Sequence, residues 1–187
     1  MVERKKKAPY ISEIVPTFNE REGIGNVVNK IQIEVNKLDK SHEVIVIDDG
    51  STDNTAINAR DAGAKVIQHP YNIGNGAAVK TGIRHARGEI LVTIDGDGQH
   101  DPNDILKLVN KIGPYDMVVG SRNRESDTAP HRDVANMVFN SLATYISGRK
   151  IEDLTSGFRA VKTHIARQFI YLLPNKFSYP STITLSV

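Results

Sequence analysis

Glu89-Ile90-Leu91-Val92-Thr93-Ile94-Asp95-Gly96-Asp97-Gly98-Gln99-His100-Asp101-Pro102 changes character at its middle. Its first half is an apolar run rich in β-branched residues, which reads as a buried strand over 90–94. Apolar burial then stops, and hard oxygen ligands cluster where the chain leaves the sheet. In an extended chain, residues i and i+2 point the same way. Asp95 and Asp97 therefore aim two carboxylates at one point, with the Gln99 amide oxygen on the same side. Gly96 and Gly98 permit unusual backbone angles and a close approach by a ligand. Two carboxylates and an amide suit Mg²⁺ or Mn²⁺ better than a thiophilic metal, and they leave coordination positions for a diphosphate. The plainer reading is an acidic, Gly-rich turn between strand and helix, which a lone Asp-x-Asp favours. A calcium loop of the EF-hand type fails in detail. The Gly and Glu it requires are His100 and Leu106 here, and a strand precedes the loop instead of a helix.

The whole chain sets the frame. Its 187 residues suffice for one domain with a real core. With 39% apolar and 25% charged residues it has an ordinary globular composition. The absence of cysteine excludes a disulfide scaffold, a thiolate metal site and a cysteine nucleophile. A net charge of +2 is too small to imply nucleic acid. The one basic run, Arg4-Lys5-Lys6-Lys7, reads as part of a solvated tail over 1–9. A second reading is contact with an anionic membrane, at about 1 kcal/mol per basic residue near the lipid. No apolar run approaches the ~20 residues needed to span a bilayer, and Pro9 and Glu13 interrupt any signal-peptide core.

Strand and helix signals alternate. Strands are predicted over 10–15, 43–47, 64–68, 90–94 and 115–119. Helices are predicted from Asn19 (as cap) through Val35, up to about Ala62, over 74–87, from Pro102 to Lys111, over 132–147 and near 163–172. Apolar strands separated by helices indicate an α/β domain with a mainly parallel sheet covered on both faces. Ligands gather at the carboxyl ends of such strands. The polar clusters Asn19-Glu20, Asp48-Asp49, Asp95-Asp97 and Ser121-Arg122 all follow strands. The chain ends inside the apolar pattern of Ser178-Tyr179-Pro180-Ser181-Thr182-Ile183-Thr184-Leu185-Ser186-Val187, which leads to the expectation of a domain over 10–187 that is truncated at its C-terminus.

Each cluster has a capping reading and a binding reading. Ser51 or Thr52 suits a helix cap and Asp53 suits the helix dipole. Capping leaves the pairing of Asp48 with Asp49 unexplained, and carboxylates at a strand end can accept hydrogen bonds from a base or a ribose. Gly74-Asn75-Gly76-Ala77-Ala78-Val79 is a weak dinucleotide fingerprint: Val79 stands where the third Gly belongs, and the acidic strand end precedes the Gly stretch. The stretch still offers backbone N–H groups and a helix N-terminus to a phosphate. Arg122, Arg132 and Arg159 are candidate phosphate binders, Arg122 foremost because it follows a strand ending in Gly120-Ser121. The six His lack the zinc spacing His-Glu-x-x-His, and no Gly-x-Ser-x-Gly elbow occurs.

Taken in order, these segments resemble family-two glycosyltransferases of the GT-A fold, and within them the polyprenyl-phosphate (dolichol-phosphate) mannose synthases. Pro16-Thr17-Phe18-Asn19-Glu20, Asp48-Asp49-Gly50-Ser51-Thr52-Asp53, Asn72-Ile73-Gly74-Asn75-Gly76-Ala77-Ala78, Asp95-x-Asp97-x-Gln99-His100-x-Pro102, Gly120-Ser121-Arg122 and Asp153-Leu154-Thr155-Ser156-Gly157-Phe158-Arg159-Ala160 carry the likeness. The resemblance implies that Pro16, Phe18, Asn19, Glu20, Asp48, Asp49, Gly76 and Asp95 hold the donor nucleotide. It implies that Asp95, Asp97 and Gln99 hold Mg²⁺ or Mn²⁺ on its diphosphate. Arg122 and Arg132 would face the phosphates, with Ser156 and Arg159 near the acceptor. Asp153 is the candidate base for a sugar-hydroxyl acceptor.

The implied activity is inverting transfer of a hexose, mannose from GDP-mannose, to a polyprenyl monophosphate by an enzyme peripheral to the cytoplasmic membrane face. The alternatives are a UDP-sugar donor with a lipid-phosphate, sugar or protein acceptor, and, from another class, an inactive nucleotide-binding module.

Overall fold

The structure is a computed structural model that describes residues 8–96, 100–120, 141, 144, 145, 148 and 153–187. The helix expected over 132–147 falls almost wholly outside them. The strands are β1 (Ile11–Thr17), β2 (His42–Asp48), β3 (Lys65–Gln68), β4 (Ile90–Thr93), β5 (Met117–Val119) and β6 (Arg159–Lys162). They form one sheet in the order β3-β2-β1-β4-β6-β5. β1 pairs in parallel with β2 and β4, and β2 with β3. β6 runs antiparallel between β4 and β5. The other strands therefore share one direction, and their carboxyl ends share one edge. The sheet is mainly parallel, as expected; the reversed β6 was not expected.

The helices among the described residues are α1 (Ile24–Val35), α2 (Thr55–Asp61), α3 (Asn75–His85), α4 (Ile105–Lys111), α5 (Thr163–Phe169) and α6 (Tyr179–Ser186), with a 3₁₀ turn at Pro102–Asp104 ahead of α4. They cover both faces. Ile24, Val27, Val28, Ile31 and Val35 of α1 pack with Ile105 and Leu108 of α4 against Val15, Val46 and Val92. On the other face, Val79 and Ile83 of α3 join Ala166, Tyr179 and Ile183 of α5 and α6 over Ile14, Ile45 and Leu91. Such alternation along β1 and β2 is the period-two pattern of strands buried on both sides.

Helix starts differ from the expected caps. Asn19 does not cap α1, which begins five residues later behind Gly23. Its side-chain oxygen instead accepts from Thr52 N (3.0 Å). Ser51 and Thr52 do not cap α2; the side chain of Asp53 accepts from Thr55 N at 2.9 Å. The apolar pattern over 178–187 forms α6. Pro180, at its start, suits a first turn whose N–H groups lack intrahelical partners.

Candidate active site

The carboxyl edge of β1, β2 and β4 brings the predicted clusters together. Asn19 is the one non-glycine residue with positive φ among the described residues (55°), a region that asparagine tolerates. That turn staples the end of β1 to the loop after β2. Asn19 N donates to Ser51 Oγ at 2.9 Å, Glu20 N to Thr55 Oγ1 at 2.8 Å and Arg21 N to Asp53 Oδ2 at 3.4 Å. The hydrogen bonds from Thr55 hold the Asp53 carboxyl below the usual carboxylate range. Phe18 stays 43% exposed at this edge, so an aromatic face there is open to solvent.

Asp48 and Asp49 are both buried. Asp48 accepts from Ser51 N (3.1 Å) and from Gln68 Nε2 (3.0 Å). Asp49 accepts from Ile73 N (3.1 Å) and Gly74 N (2.8 Å), and its Oδ1 lies 2.6 Å from His69 Nδ1. Each carboxylate is thus drawn into the loop architecture of the edge. His69 belongs to no motif singled out in the sequence. Its only signal there was position, since Gln68-His69-Pro70 follows a strand as the other polar clusters do.

The Gly stretch ahead of α3 serves packing. A Cβ at Gly76 would fall 2.1 Å from Pro174 O and 2.7 Å from Lys176 O. Asn175 O accepts from Ala77 N at 2.9 Å. The helix N-terminus, expected to face a phosphate, is therefore covered at this point by residues 174–176 of the chain itself. Gly76→Ala should cost about 1–3 kcal/mol by overpacking, because the atoms it would meet are backbone. A lowered melting temperature together with faster exchange at the Ala77 amide would show it; an unchanged melt would refute it.

Asp95 stands at the end of β4, with Gly96 N donating to Pro16 O at 3.3 Å. Its carboxylate lies over Gly157, where a Cβ would come within 2.5 Å of Oδ2. His100 Nε2 is 3.7 Å from the same oxygen, and the His100 ring stacks on Phe158 at 5.2 Å. The resemblance implies a divalent cation here. The Asp95 carboxylate, a hard oxygen donor at the strand end, suits Mg²⁺ or Mn²⁺; the His100 imidazole beside it does not. No cluster of three or more metal-binding His, Asp or Glu side chains occurs among the described residues. Asp97, Gln99, Arg122 and Arg132 lie outside those residues.

Of the acceptor-side candidates, Ser156 and Arg159 are interior and Asp153 is half-buried. Ser156 is buried, and its Oγ accepts from Phe158 N at 3.3 Å. Asp153 Oδ1 accepts from Thr155 N and Oγ1, both at 3.1 Å. Arg159 is 1% exposed. Its Nη1 donates to Pro180 O (3.0 Å) and Thr184 Oγ1 (3.1 Å), and its Nη2 to Ser156 O. Burial lowers the pKa of its guanidinium from the ordinary value.

Known proteins place this arrangement. The model of the family "Glycosyl transferase family 2" matches residues 12–170. A dodecaprenyl-phosphate galacturonate synthase of Rhizobium johnstonii is 32% identical over 166 residues, covering 84% of this chain and 49% of that protein. An undecaprenyl-phosphate 4-deoxy-4-formamido-L-arabinose transferase of Proteus mirabilis is 29% identical over 188 residues, covering 92% of this chain and 58% of that one. The chain thus spans about half the length of these curated relatives. Among solved structures, glucosyl-3-phosphoglycerate synthase of Mycobacterium tuberculosis, in complex with Mn²⁺, UDP and phosphoglyceric acid, superposes with a TM-score of 0.65 at 26% identity. That match covers 84% of this chain and 57% of that one. The sheet, its helices and these neighbours share the GT-A architecture. With a matched segment that contains every described site residue, the chain belongs to glycosyl transferase family 2.

Proposed function

We propose that this domain transfers a hexose, with inversion, from a nucleotide sugar to a polyprenyl monophosphate. The observation that carries the reading is the position of Asp95. Its carboxylate sits over Gly157 beside His100, on the same sheet edge as the stapled loops of Asn19 and Ser51. The donor would lie with its nucleoside against Pro16, Phe18, Asn19 and Glu20, near Asp48, and with its diphosphate toward Asp95. Asp95, Asp97 and Gln99 would hold Mg²⁺ or Mn²⁺. When bound, the cation supplies Lewis-acid neutralisation of charge building on the departing diphosphate. Arg122 and Arg132 would clamp the same charge.

A monophosphate acceptor, with a second pKa near ~6, is largely ionised at neutral pH and needs no strong base. This agrees with the acceptor segment 155–158, which carries no carboxylate. With a sugar hydroxyl as acceptor, Asp153 would be the base.

The polyprenyl-phosphate names of the two curated relatives support the acceptor class. UDP bound to the M. tuberculosis relative supports a UDP-sugar as donor; GDP-mannose, which the motif resemblance implies, is the competing donor. No helix among the described residues is long and apolar enough to cross a membrane. Peripheral attachment at the cytoplasmic face is the form of membrane contact proposed, and the polyprenyl-phosphate names of the relatives support it.

Calorimetric titration of UDP and GDP, with and without Mn²⁺, tests the donor site. The expected result is UDP binding that tightens at least about tenfold with Mn²⁺, worth about 1.4 kcal/mol, and loses that gain in Asp95→Asn. Tighter binding of GDP would keep the site and exchange the donor. Binding without Mn²⁺-dependent hydrolysis of any nucleotide sugar would favour the inactive module. Failure of a folded protein to bind either nucleotide would refute the site.

A further inference from the structure

We propose that His69 is a positioning residue, which acts through Asp49 to fix the loop 69–74 as one wall of the nucleotide site. The proposal rests on the donor-site reading above and deepens it. Asp49 is acceptor-only when ionised. It is 3% exposed and takes backbone N–H groups from both Ile73 and Gly74. His69 Nδ1 approaches the same carboxylate at 2.6 Å. Because the carboxylate can only accept, Nδ1 carries the proton in this contact. On the opposite side of the ring, Nε2 lies 2.9 Å from Thr81 Oγ1, on α3. His69 N also donates to Asp48 O at 2.9 Å.

One imidazole therefore ties together the end of β2, the loop after β3 and the body of α3. Three donors converge on Asp49, which leaves it little capacity to bind a ligand directly. Its contribution is to hold the backbone.

What is held matters for the site. A Cβ at Gly50 would fall 2.4 Å from the carbonyl carbon of Tyr71, so the 69–74 loop lies directly on the turn after β2. That turn is stapled through Ser51 and Thr52 to Asn19. Tyr71, 66% exposed, is carried by the held loop at the same edge as Phe18. Without His69, Asp49 would lose its ring partner and the link through that ring to Thr81 of α3. The loop carrying Tyr71 would then sample other conformations, and ordering it would oppose nucleotide binding.

The test compares His69→Ala, His69→Asn and His69→Gln. The Asn amide nitrogen stands near the place of Nδ1, whereas the longer Gln reaches toward that of Nε2. Amide exchange, which needs no nucleotide, is read first. Exchange at Ile73 and Gly74 should accelerate at least about tenfold in His69→Ala and His69→Gln, recover in His69→Asn, and leave Val46 in the centre of β2 unchanged. UDP affinity in Mn²⁺ should fall about tenfold in the first two variants and return to within about threefold of the parent in His69→Asn.

Unchanged exchange at Ile73 and Gly74 in a folded His69→Ala would overturn the proposal. So would equal losses in His69→Asn and His69→Gln. If His69→Ala does not fold, the Asn and Gln pair decides alone. If the parent binds neither UDP nor GDP, the donor-site reading fails and the nucleotide role of His69 fails with it. Exchange at the two amides then still reports separately whether His69 fixes the loop.

Discussion

A Glu13→Gln variant is expected to be about 4 kcal/mol more stable than the parent at pH 8 and nearly equal to it at pH 4.5, with the gap opening steadily between. Glu13 lies in the middle of β1, opposite Val44 on one side and Val92 on the other. It is fully buried, and neither carboxyl oxygen has a hydrogen-bond partner. Burial is the largest cause that pushes its pKa up, from 4.5 to about 8; the nearby backbone N–H of Glu13 itself opposes it without making a formed hydrogen bond, and the Glu43 charge adds to it.

Because the folded value lies above the unfolded one, the stability contribution is fully present below about 4.5 and is lost as pH rises through about 8. Each pH unit in that window is worth about 1.4 kcal/mol. Glutamine keeps the shape and removes the ionisation. Urea unfolding of both proteins at several pH values measures the difference, which cancels every other titrating group. At pH 8 the effect amounts to on the order of ten degrees in Tm. A stability difference that does not vary with pH would show that the carboxyl is solvated or paired.

The second large effect is at Arg159. Replacing it with Met, which fills similar volume, is expected to cost about 1–3 kcal/mol, the range for leaving a buried acceptor without its donor. The guanidinium donates to carbonyls at Ser156 and Pro180 and to the Thr184 hydroxyl. Its loss would take from the buried Ser156 O the donor it has in Nη2, whereas Pro180 O keeps the Thr184 hydroxyl as a donor at 2.8 Å. It would also release α6 from the sheet. The expected readouts are a lower urea midpoint and early proteolytic cleavage near 177–187. The resemblance places Arg159 near the acceptor, and a direct role there predicts a different result: normal stability with impaired transfer. A Met variant that melts like the parent would refute the bracing role.

These two residues also show how far the sequence could be read. Val44 to Ile47, Ile90 to Ile94 and the periodic face of α1 are runs whose hydrophobic spacing is local, so their elements were legible without neighbours. The edge that gathers the candidate site was legible for the same reason: each apolar run ends in a polar cluster, and parallel strands bring those ends together. Asp95 at the end of β4 followed from that rule alone.

What required tertiary structure was everything decided by distant partners. β6 is only four residues long, and its place, reversed between β4 and β5, depends on pairing with Thr93 and Val119, far off in the chain. The Gly76 stretch reads locally as an open phosphate cradle, yet residues 174–176 fold onto it. Asp49 reads as a strand-end carboxylate able to accept from a base or a ribose, yet His69, Ile73 and Gly74 share it. Local sequence sets which segments seek burial, because hydrophobic periodicity acts over a few residues. Which polar group meets which is set by chain closure over tens of residues, and only the assembled fold brings those groups within hydrogen-bonding distance.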